Sequence, residues 1–151
     1  MLFRSLDADA PVPDDRSILG VASHVAFSAQ GLRTLVDDDD LQRGLAVFHR
    51  RYEKWCCVTD GENGVGVCSG GKHSLVPSFR TQAVDTLGAG DVWHGAFALA
   101  LAEKATESDA VIFANAAAAI KVARQGARDG APTRAEIDLF LKKNASREIV
   151  N

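Results

Sequence analysis

The stretch Asp85-Thr86-Leu87-Gly88-Ala89-Gly90-Asp91, followed by Trp93, Gly95 and Phe97, decides how this chain is read. From Ala89 to Lys104 the bulky apolar residues Trp93, Phe97 and Leu101 recur at i, i+4 and i+8, with Ala96 and Ala100 on the same stripe. That period predicts an amphipathic helix. Gly88 and Gly90 carry no side chain, so an anion can approach the free backbone N–H groups of the first turn, where the helix dipole favours negative charge. Asp91 then stands beside the place where the anion is held. Backbone donors next to a carboxylate suit phosphoryl transfer: the donors stabilise the developing charge and the carboxylate takes the proton of the attacking hydroxyl. The plainer reading is a tight strand-to-helix turn with a capping acid, but such a turn has little need of this much glycine and two acids together.

Other segments line up with this one in a fixed order. Upstream lies Val58-Thr59-Asp60-Gly61-Glu62-Asn63-Gly64-Val65; downstream lie Phe113-Ala114-Asn115 with Ala116 to Ala119, then Arg124-Gln125-Gly126-Ala127 and Pro132-Thr133. Residues 85–91 resemble the second signature of the PfkB, or ribokinase-like, sugar kinases, D-T-x-G-A-G-D followed by an aromatic and then Gly, and every fixed position of the heptapeptide matches. Trp93 stands where that family usually carries Phe. Residues 59–65 resemble the family's nucleotide-side loop, T-x-G-x-x-G-V, and the downstream segments its closing part. The order strand, glycine loop, hairpin, anion hole, Ala-rich helix, Gly-Ala loop is kept from about residue 20 to the C-terminus.

The resemblance implies an ATP-dependent carbohydrate kinase. By it, Asp91 is the catalytic base, and the N–H groups of Gly88, Ala89 and Gly90 hold the transferring phosphoryl. Thr59, Gly61 and Gly64 line the nucleotide. Asn115 lies near the adenine, which the small Ala116 to Ala119 run lets approach; the alternative is an Ala-rich helix packed tightly on the sheet with Asn115 merely exposed. The resemblance also implies potassium beside the anion hole, held by Asp85 and by a carbonyl at Gly126, against a plainer role for Asp85 as a turn acid accepting from Thr86 or nearby N–H groups. The family's N-x-x-E, which orders magnesium through water, is replaced by Ala29 and Leu32, leaving Mg2+ coordination unassigned although Mg2+-ATP remains the donor. The ketohexokinase-like and sulfofructose-kinase-like branches depart from that motif too, and the closing segment looks nearest to the latter. The competing readings are a non-catalytic nucleotide-binding or assembly fragment, and a nucleoside kinase of the same fold.

At 151 residues the chain suits one domain spanning 1–151. Members of the family resembled are about twice as long, and the motifs here belong to their C-terminal half. The expected fold is therefore α/β: a ribokinase-like three-layer αβα, Rossmann-like sheet without its N-terminal strands and lid, from a truncated gene product or one piece of a longer protein. The uncovered apolar edge of such a sheet predicts a homo-oligomer, or association with the N-terminal half that grips the sugar substrate.

Composition fits a cytoplasmic α/β domain, with 46% hydrophobic and 25% charged residues. A net charge of −3 offers no basic field for nucleic acid or an anionic membrane, and no apolar stretch is long enough to span a bilayer. Cys56, Cys57 and Cys68 lie in strand-like surroundings without C-x-x-C spacing and read as buried thiols of a reducing compartment. Strands are expected at Leu2 to Asp9, His24 to Ser28, Trp55 to Thr59, Val65 to Cys68 and His73 to Val76, the last two flanking a Ser69-Gly70-Gly71 hairpin turn. Helices are expected at Leu41 to Tyr52, Asp109 to Val122 and Arg134 to Leu141, the last opened by a Thr133/Glu136 capping box. Ala10 to Ser17 reads as a loop. Asp37 to Asp40 read as solvated acids at a helix start rather than a cation site. His94 faces either the substrate or solvent, while His24, His49 and His73 read as surface or hairpin residues. Asn144-Ala145-Ser146 matches a glycosylation acceptor by chance, and Trp55 and Trp93 read as core.

Overall fold

Val25-Ala26-Phe27 and Cys56-Cys57-Val58 are unbroken apolar runs, as strands covered on both faces require, and all six residues are buried. They form the centres of β2 (His24–Ser28) and β3 (Trp55–Thr59) in the computed structural model, which describes residues 3–9, 12 and 14–148. The described chain divides into two units, Met1–Pro77 and Ser78–Asn151.

In the first unit, β1 (Ser5–Ala8), β2 and β3 run parallel, and β4 (Val65–Ser69) and β5 (Lys72–Val76) continue antiparallel, giving one five-stranded sheet in the order β1-β2-β3-β4-β5. The parallel pairing aligns His24 with Trp55 and Ser28 with Thr59, while the hairpin aligns Ser69 with Lys72 across Gly70 and Gly71. Among the described residues β1 and β5 are the sheet edges. The first strand is thus shorter than Leu2 to Asp9, and Met1 and Leu2 lie outside the described residues.

The helix α3 (Leu41–Tyr52) starts where Asp40 caps it, its carboxylate accepting from the N–H of Arg43 at 3.0 Å, and stops at Glu53, which adopts the left-handed conformation. Its buried face, Leu45, Phe48 and Tyr52, packs on the sheet. Phe48 meets Phe27 edge-on with ring centroids 4.8 Å apart. Two short helices were not read from the sequence. The stretch Ala10 to Ser17 includes the start of α1 (Arg16–Leu19), capped by Asp15, although Ala10, Pro11 and Pro13 lie outside the described residues. Ala29–Val36 forms α2, where Ser28 caps at 2.9 Å and Leu32 is wholly buried.

Three of the four acids of residues 37–40 have separate structural jobs. Asp37 ends α2 in the left-handed conformation, Asp38 forms a two-point ion pair with Arg43, and Asp40 caps α3. His24 and His49 are half-buried, not on the surface: the His24 ring lies tilted against Trp55 with centroids 5.3 Å apart, and Nδ1 of His49 lies 2.9 Å from the Lys54 carbonyl. Cys56, Cys57 and Cys68 are free and buried, and burial pushes the Cys56 and Cys57 thiols well up.

The second unit is helical: α4 (Ala89–Ala102), α5 (Glu107–Val122) and α6 (Arg134–Glu148), with α5 packed against both others. The apolar stripe of α4 is buried at Trp93, Ala96, Phe97 and Ala100, and Trp93 stacks on Phe97 at 5.1 Å. α5 begins two residues earlier than expected because Thr106, not a later residue, is its cap, accepting from the N–H of Asp109 at 3.1 Å. The capping box of α6 is present: Glu136 accepts from the Thr133 N–H at 2.7 Å, and the Thr133 hydroxyl accepts from the Glu136 N–H at 3.4 Å. No helix among the described residues is long and apolar enough to cross a membrane.

Candidate active site

Each half of the expected machinery is built locally within its own unit. In the first unit, β3 ends at Thr59, whose hydroxyl donates to the Phe27 carbonyl at 3.3 Å. The chain then turns through a 3-10 segment, Gly61–Asn63, that its own backbone closes: Asp60 N–H to Gly64 C=O at 2.9 Å and Asn63 N–H to Asp60 C=O at 3.0 Å. Gly61 and Gly64 both have positive φ, 54° and 97°. A cleft of about 400 Å³ lies beside this loop, lined by Asp60, Asn63 and Gly64 together with Leu41, Leu45 and Val58.

In the second unit, Asp85 to Asp91 form the turn into α4. Gly88 caps the helix at φ 76° and ψ 8°, a left-handed conformation, and a Cβ added there would meet Ala127 Cβ at 3.3 Å. The first bond of the helix runs from the Val92 N–H to the Gly88 carbonyl at 3.0 Å, so the N–H groups of Gly90 and Asp91 have no intrahelical acceptor. The N–H of Ala89, one of the three expected phosphoryl donors, closes the turn onto the Thr86 carbonyl at 3.1 Å. A Cβ built on Gly90 meets nothing within 4 Å, and its φ is not left-handed. Neither strain nor protein packing therefore requires glycine at 90; open space lies over the first turn. Asp91 is exposed in that turn. One turn on, Nδ1 of half-buried His94 lies 2.9 Å from the Gly90 carbonyl, so the ring is tied to its own helix.

The turn is held from behind by the end of α5. The Val122 carbonyl accepts from the N–H groups of Val84 at 2.7 Å and Asp85 at 3.1 Å. The Asp85 carboxylate accepts from the N–H of Leu87 and from that of Gly126, each at 2.9 Å. These two bonds, with the nearby Lys121 ammonium, hold its carboxyl below the usual carboxylate range. Asp85 thus accepts hydrogen bonds as a turn acid does. Lys121 is 0% exposed, and its ammonium donates to the Asp85 carbonyl at 2.7 Å and lies 3.7 Å from the carboxylate. The sequence reading missed Lys121, although a signal was there: it lies seven residues after Ala114 and four after Ala117, on the buried face of α5.

Asn115 is neither exposed nor free. It is 5% exposed, and its side-chain Oδ1 accepts from Trp93 Nε1 at 2.7 Å, which joins α5 to the buried face of α4. Ala29 and Leu32, at the positions of the magnesium-ordering motif, offer no side-chain oxygen, and among the described residues no group of three or more His, Cys, Asp and Glu side chains is placed to hold a metal ion.

The sequence profile of the pfkB family carbohydrate kinases matches residues 4–134. The ribokinase of Bacillus subtilis is 46% identical over 84 residues, which is 56% of this chain and 29% of that protein. A putative ribokinase from Agrobacterium tumefaciens superposes with a TM-score of 0.88 at 34% identity, covering 94% of this chain and 48% of that one. A putative ribokinase II from E. coli, solved in complex with ATP and Mg2+, gives a TM-score of 0.76 at 26% identity, covering 85% and 42%. A fructokinase double mutant from Vibrio cholerae O395, in its fructose, ADP and potassium ion bound form, gives 0.78 at 25% identity, covering 92% and 50%. The chain spans about half the length of these solved relatives and less of the Bacillus enzyme. Its α/β architecture is that of the ribokinase-like fold, and with its motifs in the family's order, this chain belongs to the pfkB family of carbohydrate kinases.

Proposed function

We propose that this chain is the nucleotide-binding and catalytic segment of an ATP-dependent kinase that phosphorylates a sugar hydroxyl. The observation that carries the reading is the α4 N-terminus: an exposed Asp91 beside unbonded first-turn N–H groups and open space over Gly90. Asp91 takes the proton of the attacking hydroxyl while the N–H groups of Gly88 and Gly90 stabilise the charge on the transferring phosphoryl. The N–H of Ala89 joins them if it leaves Thr86. The loop of Thr59, Gly61 and Gly64 is assigned to the nucleotide, and its self-closing backbone supports that role by fixing the loop before any ligand arrives. Asn115 acts as a positioning residue, holding Trp93 and through it the buried side of α4. Magnesium arrives with ATP as the Mg2+-ATP substrate; the side chains at 29 and 32 give it no ligand.

The sugar is gripped by residues beyond this segment. The solved relatives are about twice as long, so the chain works with an N-terminal half or a second copy, which the sheet edge at β1 favours. Ribose-like and fructose-like acceptors are both compatible with the relatives, which include a ribokinase and a fructokinase. Three free thiols suit a reducing, cytoplasmic setting.

The test has two parts. The chain alone is expected to bind ATP or ADP weakly by titration calorimetry, yet to phosphorylate no ketose, aldose, sugar acid or nucleoside. In a complete kinase containing this segment, Asp91→Asn is expected to lower kcat by about 10² or more with nucleotide affinity retained. Near-normal turnover of that variant removes Asp91 from the role of base.

A further inference from the structure

The family resemblance implies potassium held by Asp85 and the Gly126 carbonyl, and the Vibrio fructokinase carries potassium. The residues of this chain do not fit that ion. A potassium ion would have to share oxygens that are already engaged and tolerate any cation already beside them. Here the Asp85 carboxylate already accepts two backbone N–H groups, from Leu87 and Gly126, each at 2.9 Å. The loop therefore presents the N–H of Gly126 to Asp85. The Gly126 carbonyl accepts from the Gly130 N–H at 3.0 Å. A positive charge is already present: the Lys121 ammonium lies 2.7 Å from the Asp85 carbonyl oxygen and 3.7 Å from its carboxylate, on a side chain with no exposure to solvent. A second cation placed among these oxygens would face that ammonium at close range.

We propose that the Lys121 ammonium is the resident monovalent cation of this segment, tying the Asp85 turn to the end of α5, and that the chain therefore neither needs nor binds potassium there. Both ions carry one positive charge and take oxygen ligands. The ammonium is delivered by the chain itself, in the last turn of α5, where the helix dipole and the terminal carbonyls favour a cation. Its stem is wholly buried. The neighbouring Val122 carbonyl holds the N–H groups of Val84 and Asp85, so the ammonium and the helix end both grip Asp85. The nucleotide part of the inference rests on the reading of residues 85–91 as an anion hole; the cation part does not.

The test uses the full 151-residue chain. Thermal unfolding and ATP titration are compared in potassium, sodium and tetramethylammonium chlorides at one ionic strength, so that screening is constant. For the wild type, Tm and ATP affinity are expected to stay the same across the three salts, within about twofold in affinity, well under the fivefold where coupling between sites usually begins. Lys121→Ala removes the charge and opens a cavity beside Asp85. It is expected to lower Tm and to acquire a potassium response, with ATP tightening about fivefold or more over tetramethylammonium. Lys121→Met fills the volume without the charge and is expected to stay unresponsive, which separates a cation role from packing. Potassium raising the Tm of the wild type, or a folded Lys121→Ala chain indifferent to potassium, overturns the proposal. If Lys121→Ala does not fold, thallium(I) NMR on the wild type decides: a saturable bound resonance that potassium displaces overturns the proposal, and none upholds it. A chain that binds no ATP in any salt defeats the proposed function, and the nucleotide-free Tm comparison still decides this inference.

Discussion

Between Thr59 and Val65 the glycine loop is closed by its own atoms, Asp60 to Gly64 and Asn63 to Asp60, whereas between Asp85 and Gly90 the turn is held by residues 36 and 41 positions further along. The first loop is fixed as soon as β3 and β4 pair. The second takes its shape only when α5 is formed and packed, because Val122, Lys121 and Gly126 supply its partners. Loops of similar composition thus differ in where their stability is stored. Substitutions that disturb the first should act locally, and substitutions at residues 121–130 should reach the turn at residues 85–90 from a distance.

The comparison can be broken most sharply by adding a methyl group to each loop. Gly61 and Gly88 both have positive φ, so alanine is strained at either, by about 1–2 kcal/mol. A Cβ at Gly61 meets nothing within 4 Å, while one at Gly88 meets Ala127 at 3.3 Å. Gly61→Ala is therefore expected near the lower end of that range and Gly88→Ala near about 2 kcal/mol, measured by urea unfolding of the full chain. Equal losses would show that the contact with the Gly-Ala loop adds nothing, and that the second turn is as self-sufficient as the first.

Gly90 turns the same operation into a test of function. Its φ is not left-handed and its surroundings are open, so Gly90→Ala is expected to stabilise the chain, by up to about 1 kcal/mol. If the open space over α4 is where a phosphate approaches the backbone, the added methyl is also expected to weaken ATP binding by about tenfold, or 1.4 kcal/mol. Gly95, likewise open and in the middle of α4, supplies the comparison: Gly95→Ala is expected to give the backbone gain without the loss at the helix start. A Gly90→Ala chain that is more stable and binds ATP as before would leave glycine at 90 without a ligand-based reason.

What could be read from the sequence divides along the same line as the loops. Elements whose signals are local were legible: β2, β3 and α3 follow from apolar runs, the period of Leu41, Leu45 and Phe48, and a capping acid, and they occupy the residues expected. α2 was missed although Ser28 is a good cap and Leu32, Leu35 and Val36 share a face, because eight residues with a central glycine carry a weak periodic signal. The motif at 85–91 identified the turn and its acid, but not what holds them. The exchange of partners among Asp85, Lys121 and Gly126 depends on which face of α5 meets the α4 side, a packing fact that no spacing within residues 85–91 encodes. Asn115 shows the same limit: its position on an Ala-rich helix suggested exposure or contact with a base, and only the register of α5 against α4 turns it toward Trp93.

The smallest effect concerns acid stability, where one ion pair in each unit serves as a probe. Glu136 accepts from Arg124 Nη2 at 2.6 Å and from the N–H and hydroxyl of Thr133, and these donors pull its carboxyl down from 4.5 to about 2. Asp38, bonded twice to Arg43 and once to the Asp40 N–H, is likewise lowered from 3.8 to about 2. A carboxyl lowered in the folded state binds fewer protons there than in the unfolded chain. Its contribution is therefore complete above its ordinary value and disappears as pH falls through about 2. Both groups are half-buried yet open enough for water and salt to screen them, so each is expected to account for only a minor part of the acid slope. Denaturant unfolding of the full chain between pH 5 and pH 2 checks this, with Glu136→Gln and Asp38→Asn each flattening the slope in that window and high salt reducing the difference from wild type. The Asp38 pair closes over five residues onto the first turn of α3, whereas Arg124 reaches Glu136 from the loop that also supplies Gly126 to Asp85. Glu136→Gln is thus expected to loosen the Asp85 turn slightly, read as a small loss of ATP affinity, while Asp38→Asn leaves ATP affinity unchanged. If both variants leave it unchanged, the hold on the Asp85 turn by α5 and the loop after it ends at Gly126 and does not extend into α6.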